Sequence, residues 1–294
     1  MSPTLARRLA SIWVLTILSA HLATDLRADD KKKTPANAAN VVKGKAAEEL
    51  ISLKLEVDAL EKLYNLELNA KQLKSLLSLA EKTAGKAPAS QEVEAGEEYR
   101  TTLQSLHDAL VAQQEERIRE MNDKLDELQE KESVSIDATI EMTEAAMAAA
   151  PKAFRLLSAA QIVSYLASLN DEIPDPAERI LSALEEGSEL AAEEWKELRD
   201  QTAEEISWLV EGLRMESATR MRKTVTDWLD RNHRFQGAEL TKQWPALEKS
   251  ANQLVGNVSS LLILQHYMER ELAELLSNPR TAAALQLSIK QEKE

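Results

Sequence analysis

The chain has 294 residues, with 50 acidic against 36 basic side chains, a net charge of −14, and no cysteine. Without thiols there are no disulfides, thiolate metal sites, covalent haem, Cys nucleophiles or lipid-modified N-terminal Cys, and the acidic balance repels nucleic-acid phosphates, so no nucleic-acid partner is expected. Only 7 Gly, 8 Pro and 4% aromatics occur in a chain rich in Ala, Leu, Glu, Lys and Gln, which favours helix over sheet.

Residues 1–28 read as a signal peptide. Arg7 and Arg8 form a basic start, Leu9 to Thr24 carries no Asp, Glu, Lys or Arg, and small residues follow at Ala20, Ala23 and Ala28. The uncharged run is shorter than the roughly 20 residues of a membrane span, with an uncleaved signal-anchor as the competing reading. Cleavage after Ala28 removes Arg7, Arg8, Arg27 and Asp25 and leaves 33 basic against 49 acidic residues, a net charge of −16. No second apolar run is long enough to span, so the expectation is a periplasmic or secreted protein with no integral membrane span after cleavage. Residues 29–45, with Lys31, Lys32 and Lys33 and a Pro/Asn/Ala stretch, read as a flexible linker.

The helical period begins at Ala46. Leu50, Leu53, Val57, Leu60 and Tyr64 step by three and four, which sets them on one stripe. A break at Asn65–Leu68 precedes a second helix with Leu73, Leu76, Leu77 and Ala80, closed by the turn-forming stretch from Gly85 to Ser90. One long helix is expected from Glu92 to Glu132. Its stripe is Tyr99, Leu103, Leu106, Leu110, Ile118, Met121, Leu125 and Leu128, with a slip at Gln114 that would unwind a coiled-coil seam locally. The spacing predicts a further helix from Ile136 to Leu157, with an Ala-rich centre suited to a close crossing and Pro151 to kink or end it. The segment Asn170–Pro176 reads as an interhelix loop, and Asp175, Pro176 and Glu178 read as a capping box with proline at the first helical position.

Trp195, Leu198, Thr202, Ile206, Leu209 and Leu213 share a face, as do Met221, Val225 and Trp228. The most regular pattern is Leu247, Ala251, Leu254, Val258, Leu261, Gln265, Met268, Leu272 and Leu275, which alternates steps of four and three. It predicts one long helix, enclosed by neighbours around Leu261–Leu264. This stripe is expected to be the main stability element and an assembly surface, with polar Gln265 fixing register. Asn278 and Pro279 close it.

Leu68-Asn69-Ala70-Lys71-Gln72-Leu73 matches Leu157-Ser158-Ala159-Ala160-Gln161-Ile162, and Ser75 and Leu77 match Ser164 and Leu166. Each six-residue stretch predicts a capping box, with Asn69 or Ser158 capping the helix and the Gln returning a bond. The pattern resembles the LTxxQ motif of the Spy/CpxP-like family of small periplasmic helical proteins, with Asn69 and Ser158 where that motif has Thr. The resemblance implies an all-helical envelope protein, chaperone-like in the Spy-like members. Asp175–Glu178 and Leu275–Arg280 are also similar to exported helical proteins of planctomycete-type bacteria with no assigned function.

Chemistry is hard to find. After signal removal the histidines are His107, His233 and His266, and the residues three before them are Gln104, Asp230 and Ile263, so no Glu-x-x-His pair exists for a di-iron bundle. There is no HExxH, no G-x-S-x-G, no Gly-rich phosphate loop, and the many Glu-Glu pairs read as solvated helix faces. Trp195, Trp208, Trp228 and Trp244 fall within 50 residues and read as core, with an aromatic binding groove as the alternative. No catalytic, cofactor-binding or metal-ligating residue is assigned and no cofactor is expected. The resulting expectation is an all-α protein, an elongated helical bundle or antiparallel coiled coil of long amphipathic helices, with N-terminal helical hairpins over 46–132 and a C-terminal helical bundle over 133–294. The expected function is non-enzymatic: a scaffold or chaperone-like module that binds protein or peptide partners, or a second copy of itself, through an apolar interhelical groove. The alternative is an enzyme or metal-binding bundle whose site converges only in three dimensions.

Overall fold

The computed structural model describes residues 41–42, 44–87, 93–132, 134, 136, 138, 140–169 and 173–291. The expected signal peptide, most of the 29–45 linker and part of the Asn170–Pro176 loop lie outside them. The chain divides into Met1–Ala38 and Ala39–Glu294, and every described residue belongs to the second unit. The fold is all-α: twelve helices among the described residues, plus one two-residue antiparallel pairing of β1 (Val41–Val42) with β2 (Val93–Glu94). No described helix is long and apolar enough to cross a membrane.

Helix α1 (Lys45–Leu66) is buried on more than the expected stripe. Leu50, Ile51, Leu55, Val57, Ala59, Leu60 and Leu63 are all inside, while Leu53 and Tyr64 are only partly so. It ends at Glu67 in the left-handed region, φ 47°, before α2 (Ala70–Thr83). The expected helix over 92–132 is two helices, α3 (Glu97–Val111) and α4 (Glu115–Glu132), packed on each other. The slip in the stripe is a reversal: Gln113 takes a φ of 52° and its N–H bonds back to the Leu110 carbonyl. Folding back lets Leu103 and Leu106 share one core with Leu125 and Leu128, a burial that no continuous helix would give them.

The expected helix over 136–157 is also shorter. Helix α5 (Glu144–Phe154) starts at Thr143, whose hydroxyl accepts the Ala146 N–H. Before it, Val134, Ile136, Ala138, Ile140 and Met142 are non-helical, and these alternate residues pack on the core. Alternation at period two does not match the face of a helix. The Ala stripe of α5 (Ala146, Ala149, Ala150, Ala153) is buried, and α5 packs chiefly on α11 (Ser260–Ser277), the close crossing that small residues permit. Helix α6 (Ala159–Ser168) follows. Then comes α7 (Pro176–Gly187), capped by Asp175, whose carboxylate accepts the N–H groups of Ala177 and Glu178.

Helices α8 (Ala192–Glu211), α9 (Met215–Asn232) and α10 (Gly237–Val255) complete the middle of the chain, and α12 (Thr281–Gln291) ends it. The long helix expected over Leu247–Leu275 is broken. Gly256 takes φ 71° and ψ −164°, and α11 starts afresh with the Ser259 hydroxyl accepting the Leu262 N–H. Leu261 therefore sits at a helix start and is 73% exposed, with Leu262 exposed beside it, so the expectation that neighbours enclose this stretch is wrong. Two hydrophobic cores result, and they cut across the 132/133 boundary. The first gathers α1 to α6, the later part of α11 and α12; the second gathers α7 to α10 with Ile263 of α11. Tyr267 packs against both. Trp195 and Trp228 are core, as expected, buried in the second cluster, whereas Trp208 and Trp244 are half-buried against it. Gly187 is required there, since a Cβ would stand 2.2 Å from the Trp195 ring.

Candidate functional site

The two halves of the internal repeat meet. Asn69 accepts the N–H groups of Lys71 and Gln72, and Gln72 Oε1 accepts the Asn69 N–H at 2.9 Å. At the other half, Ser158 Oγ accepts the Gln161 N–H, and Gln161 Oε1 accepts the Ser158 N–H at 2.9 Å. Both expected capping boxes are thus formed. The two carboxamides also bond to each other across 89 residues of sequence, Gln72 Nε2 to Gln161 Oε1 at 2.9 Å and Gln161 Nε2 to Gln72 Oε1 at 3.0 Å. Each then donates to the carbonyl two residues before the other's cap, Gln72 to Leu156 at 2.5 Å and Gln161 to Glu67 at 2.8 Å. The arrangement is a local pseudo-two-fold that joins the starts of α2 and α6. Cross-pairing of this kind has no signal in either six-residue stretch alone.

Helix α6, held in this way, is unlike the others. It is the only described helix with no charged side chain, and it buries a single residue, Tyr165. Val163 is 66% exposed, Ala159, Ala160 and Ala167 are exposed, and Ile162 and Leu166 are half-buried against the first core. An uncharged, water-facing helix face on a chain that is 29% charged is the least expected surface of the molecule.

Beneath α6 runs a charged network. The Tyr165 hydroxyl donates to Glu271 at 2.7 Å, Lys62 reaches Glu271 at 2.8 Å and Glu274 at 3.2 Å, and Arg270 donates to Glu274 at 3.1 Å. Burial, then the Glu271 charge, pushes the Tyr165 hydroxyl far above its ordinary range. Burial lowers Lys62, but Glu271 and Glu274 outweigh it and hold the ammonium above its usual value. The phenol and the ammonium both keep their protons near neutrality.

A cleft of about 480 Å³ is lined by Lys45, Glu48, Glu49, Ser52, His107 and Arg280 among others. At its floor Glu56, buried, accepts from Arg280 Nε at 3.0 Å and Nη2 at 2.5 Å, and its other oxygen lies 3.3 Å from His107 Nε2. His107 Nδ1 lies 3.1 Å from Asp108, so both ring nitrogens face carboxylates, a geometry that only the imidazolium satisfies in full. The hydrogen bond to Glu56 holds the imidazole above its ordinary range despite burial, and the same bond holds the Glu56 carboxyl below its own. Each charge already has a partner, so the cluster ties α1, α3 and the start of α12 together and leaves no base poised at a nucleophile. A second cleft, beside α10, is lined by Pro245, Glu248, Lys249, Asn252, Gln253 and Gly256 among others and gathers no convergent reactive groups.

The other histidines also join elements. His233 stacks on Trp195, with ring centroids 3.9 Å apart, and its Nε2 meets the Gly187 carbonyl at 2.8 Å. His266 Nδ1 meets the Leu209 carbonyl at 2.9 Å. Among the described residues no group of three His, Asp or Glu side chains is placed to hold a metal ion. Comparison with family models, with curated proteins and with solved structures finds no match.

Proposed function

We propose that this chain is a non-enzymatic, exported helical binding protein, chaperone-like or scaffolding, that holds apolar segments of other polypeptides against the exposed face of α6. The observation that carries the reading is the composition of that face: no charge, Val163 and three alanines open to water, and half-buried Ile162 and Leu166 at its edge. An apolar patch rimmed by polar groups favours protein contact over solvation. The chain's net charge of −14 keeps the bound complex soluble by charge repulsion. The joined capping boxes support the same reading, because they fix the start of α6 from two directions and so present a rigid face. The resemblance of those boxes to the LTxxQ motif points the same way, toward an envelope protein with a holding role.

The test is aggregation of reduced α-lactalbumin followed by light scattering, with the mature chain added at equimolar ratio. The parent is expected to delay or suppress scattering. Val163→Glu, which places a charge on an exposed position and leaves the fold intact, is expected to lose most of that effect. Equal suppression by parent and variant would remove α6 from the reading, and no suppression by the parent would remove the function.

A further inference from the structure

Leu247, Ala251, Leu254, Val258, Leu261, Gln265, Met268, Leu272 and Leu275 keep one four–three rhythm in the sequence, but the fold interrupts it at Gly256. The two ends of the pattern lie in different cores. Leu247 and Ala251 belong to the second, and Met268, Leu272 and Leu275 to the first. The middle is left open, with Leu254 and Val258 half-buried and Leu261 and Leu262 exposed. The same stretch is also free of charge: from Ser250 to Met268 no Asp, Glu, Lys or Arg occurs, in a chain of net charge −14.

We propose that α11 and α12 exchange between two copies of this chain, the turn at Gly256–Ser259 straightening so that residues 237–277 form one helix in each copy. The occupant of the open stretch is thus a second copy. Only an identical chain supplies a first core and an α8 against which α11 and α12 fit, so the packing against α1, α2, α5 and α8 is re-made across the dimer rather than lost. Only a chain with the same uncharged stretch lets two strongly acidic molecules approach without repulsion at the contact. A two-fold axis at the turn runs across the straightened helix, so the two helices cross at Gly256, with contact confined to the crossing because α10 and α11 do not pack along each other. Leu254 of one copy then meets Val258 of the other, both two residues from the glycine, with exposed Leu261 flanking the seam. The proposal is independent of the α6 reading, because the two surfaces share no residue.

Gly256 is the hinge and also the handle for the test. Its φ of 71° suits glycine, and a Cβ there meets no atom within 4 Å, so Gly256→Ala acts through the backbone alone. Alanine opposes the bent turn and favours continuous helix. On size-exclusion chromatography with light scattering, the mature Gly256→Ala chain is expected to shift from one-chain to two-chain mass. The dimer should persist for hours on dilution, because separating exchanged copies requires α11 to leave a core. Adding Leu261→Glu should return the mass to one chain, while the same change in the parent leaves the melting curve where it was. A folded Gly256→Ala chain that stays at one-chain mass overturns the proposal, as does a dimer indifferent to Leu261→Glu. Should the alanine variant fail to fold, the parent is refolded from urea at high concentration: a long-lived two-chain fraction supports exchange, and one-chain mass alone refutes it.

Discussion

The contact between the two capping boxes can be weighed by a double-mutant cycle on Gln72 and Gln161. Gln72→Ala removes four hydrogen bonds: one from the Asn69 N–H, one to the Leu156 carbonyl and two shared with Gln161. Gln161→Ala likewise removes four, from the Ser158 N–H, to the Glu67 carbonyl and the same shared two. The double variant removes six, because the shared pair is lost only once. With a net value of about 0.7 kcal/mol per half-exposed neutral bond, each single change costs about 3 kcal/mol and the double about 4. The coupling, the amount by which the two singles together exceed the double, is therefore about 1–2 kcal/mol. Urea unfolding followed by circular dichroism at 222 nm, with linear extrapolation for all four proteins, measures it. If the costs add to within about 0.3 kcal/mol, the carboxamides do not meet in solution and the pseudo-two-fold is wrong.

Two further outcomes are expected. His107 has a folded-state pKa above its ordinary 6.5, so its contribution is full below that value and is lost as pH rises through the folded one. Glu56 lies below its ordinary 4.5, so its share is lost as pH falls through its folded value. Urea midpoints should therefore peak between those limits, and His107→Gln should remove about 1 kcal/mol of the difference between pH 6 and pH 9; a variant with the parent's pH profile would mean that the Glu56 contact is absent. Thr202 is fully buried in α8, and its hydroxyl has no hydrogen-bond partner among the described residues. Thr202→Val keeps the shape and removes an unsatisfied donor, so thermal melts should show about 1 kcal/mol of added stability; a loss would place an unseen partner at that oxygen.

Local signals in the sequence carried far, and non-local ones did not. The Asn69, Ser158 and Asp175 caps, the Ala crossing of α5 and the burial of Trp195 and Trp228 could all be read from spacing, because the caps rest on bonds within one turn and the Ala and Trp positions mark the face that each helix buries. The failures share one cause. At Gln113 a non-glycine residue takes a positive φ because reversing the chain buries both helix stripes together. Before Thr143 the period-two alternation of Val134, Ile136, Ala138, Ile140 and Met142 was legible, yet the surrounding helical composition outweighed it. At Gly256 the heptad rhythm concealed a turn that the glycine itself announces. The α6 face was invisible for a different reason. Its apolar residues look like core in sequence, and only packing reveals that Tyr165 alone is buried.

The charged network under α6 bears on how α11 finds its place. Half-buried ion pairs of this kind add little net stability, since desolvation offsets much of their attraction. What they add is orientation, because a misplaced partner leaves a charge unpaired at a cost of several kcal/mol. Here the carboxylates Glu271 and Glu274 ride on α11, while Lys62 and Tyr165 wait on α1 and α6 of the receiving core. Sliding α11 by one turn would leave Lys62 one acid where it now has two, whereas apolar packing alone would tolerate the shift, since Leu272, Leu275 and Leu276 recur along the same face. The network thus sets register where the hydrophobic pattern repeats. It would do so equally for an α11 arriving from a second copy, because every donor of the receiving set belongs to the first core and both acids belong to the arriving helix.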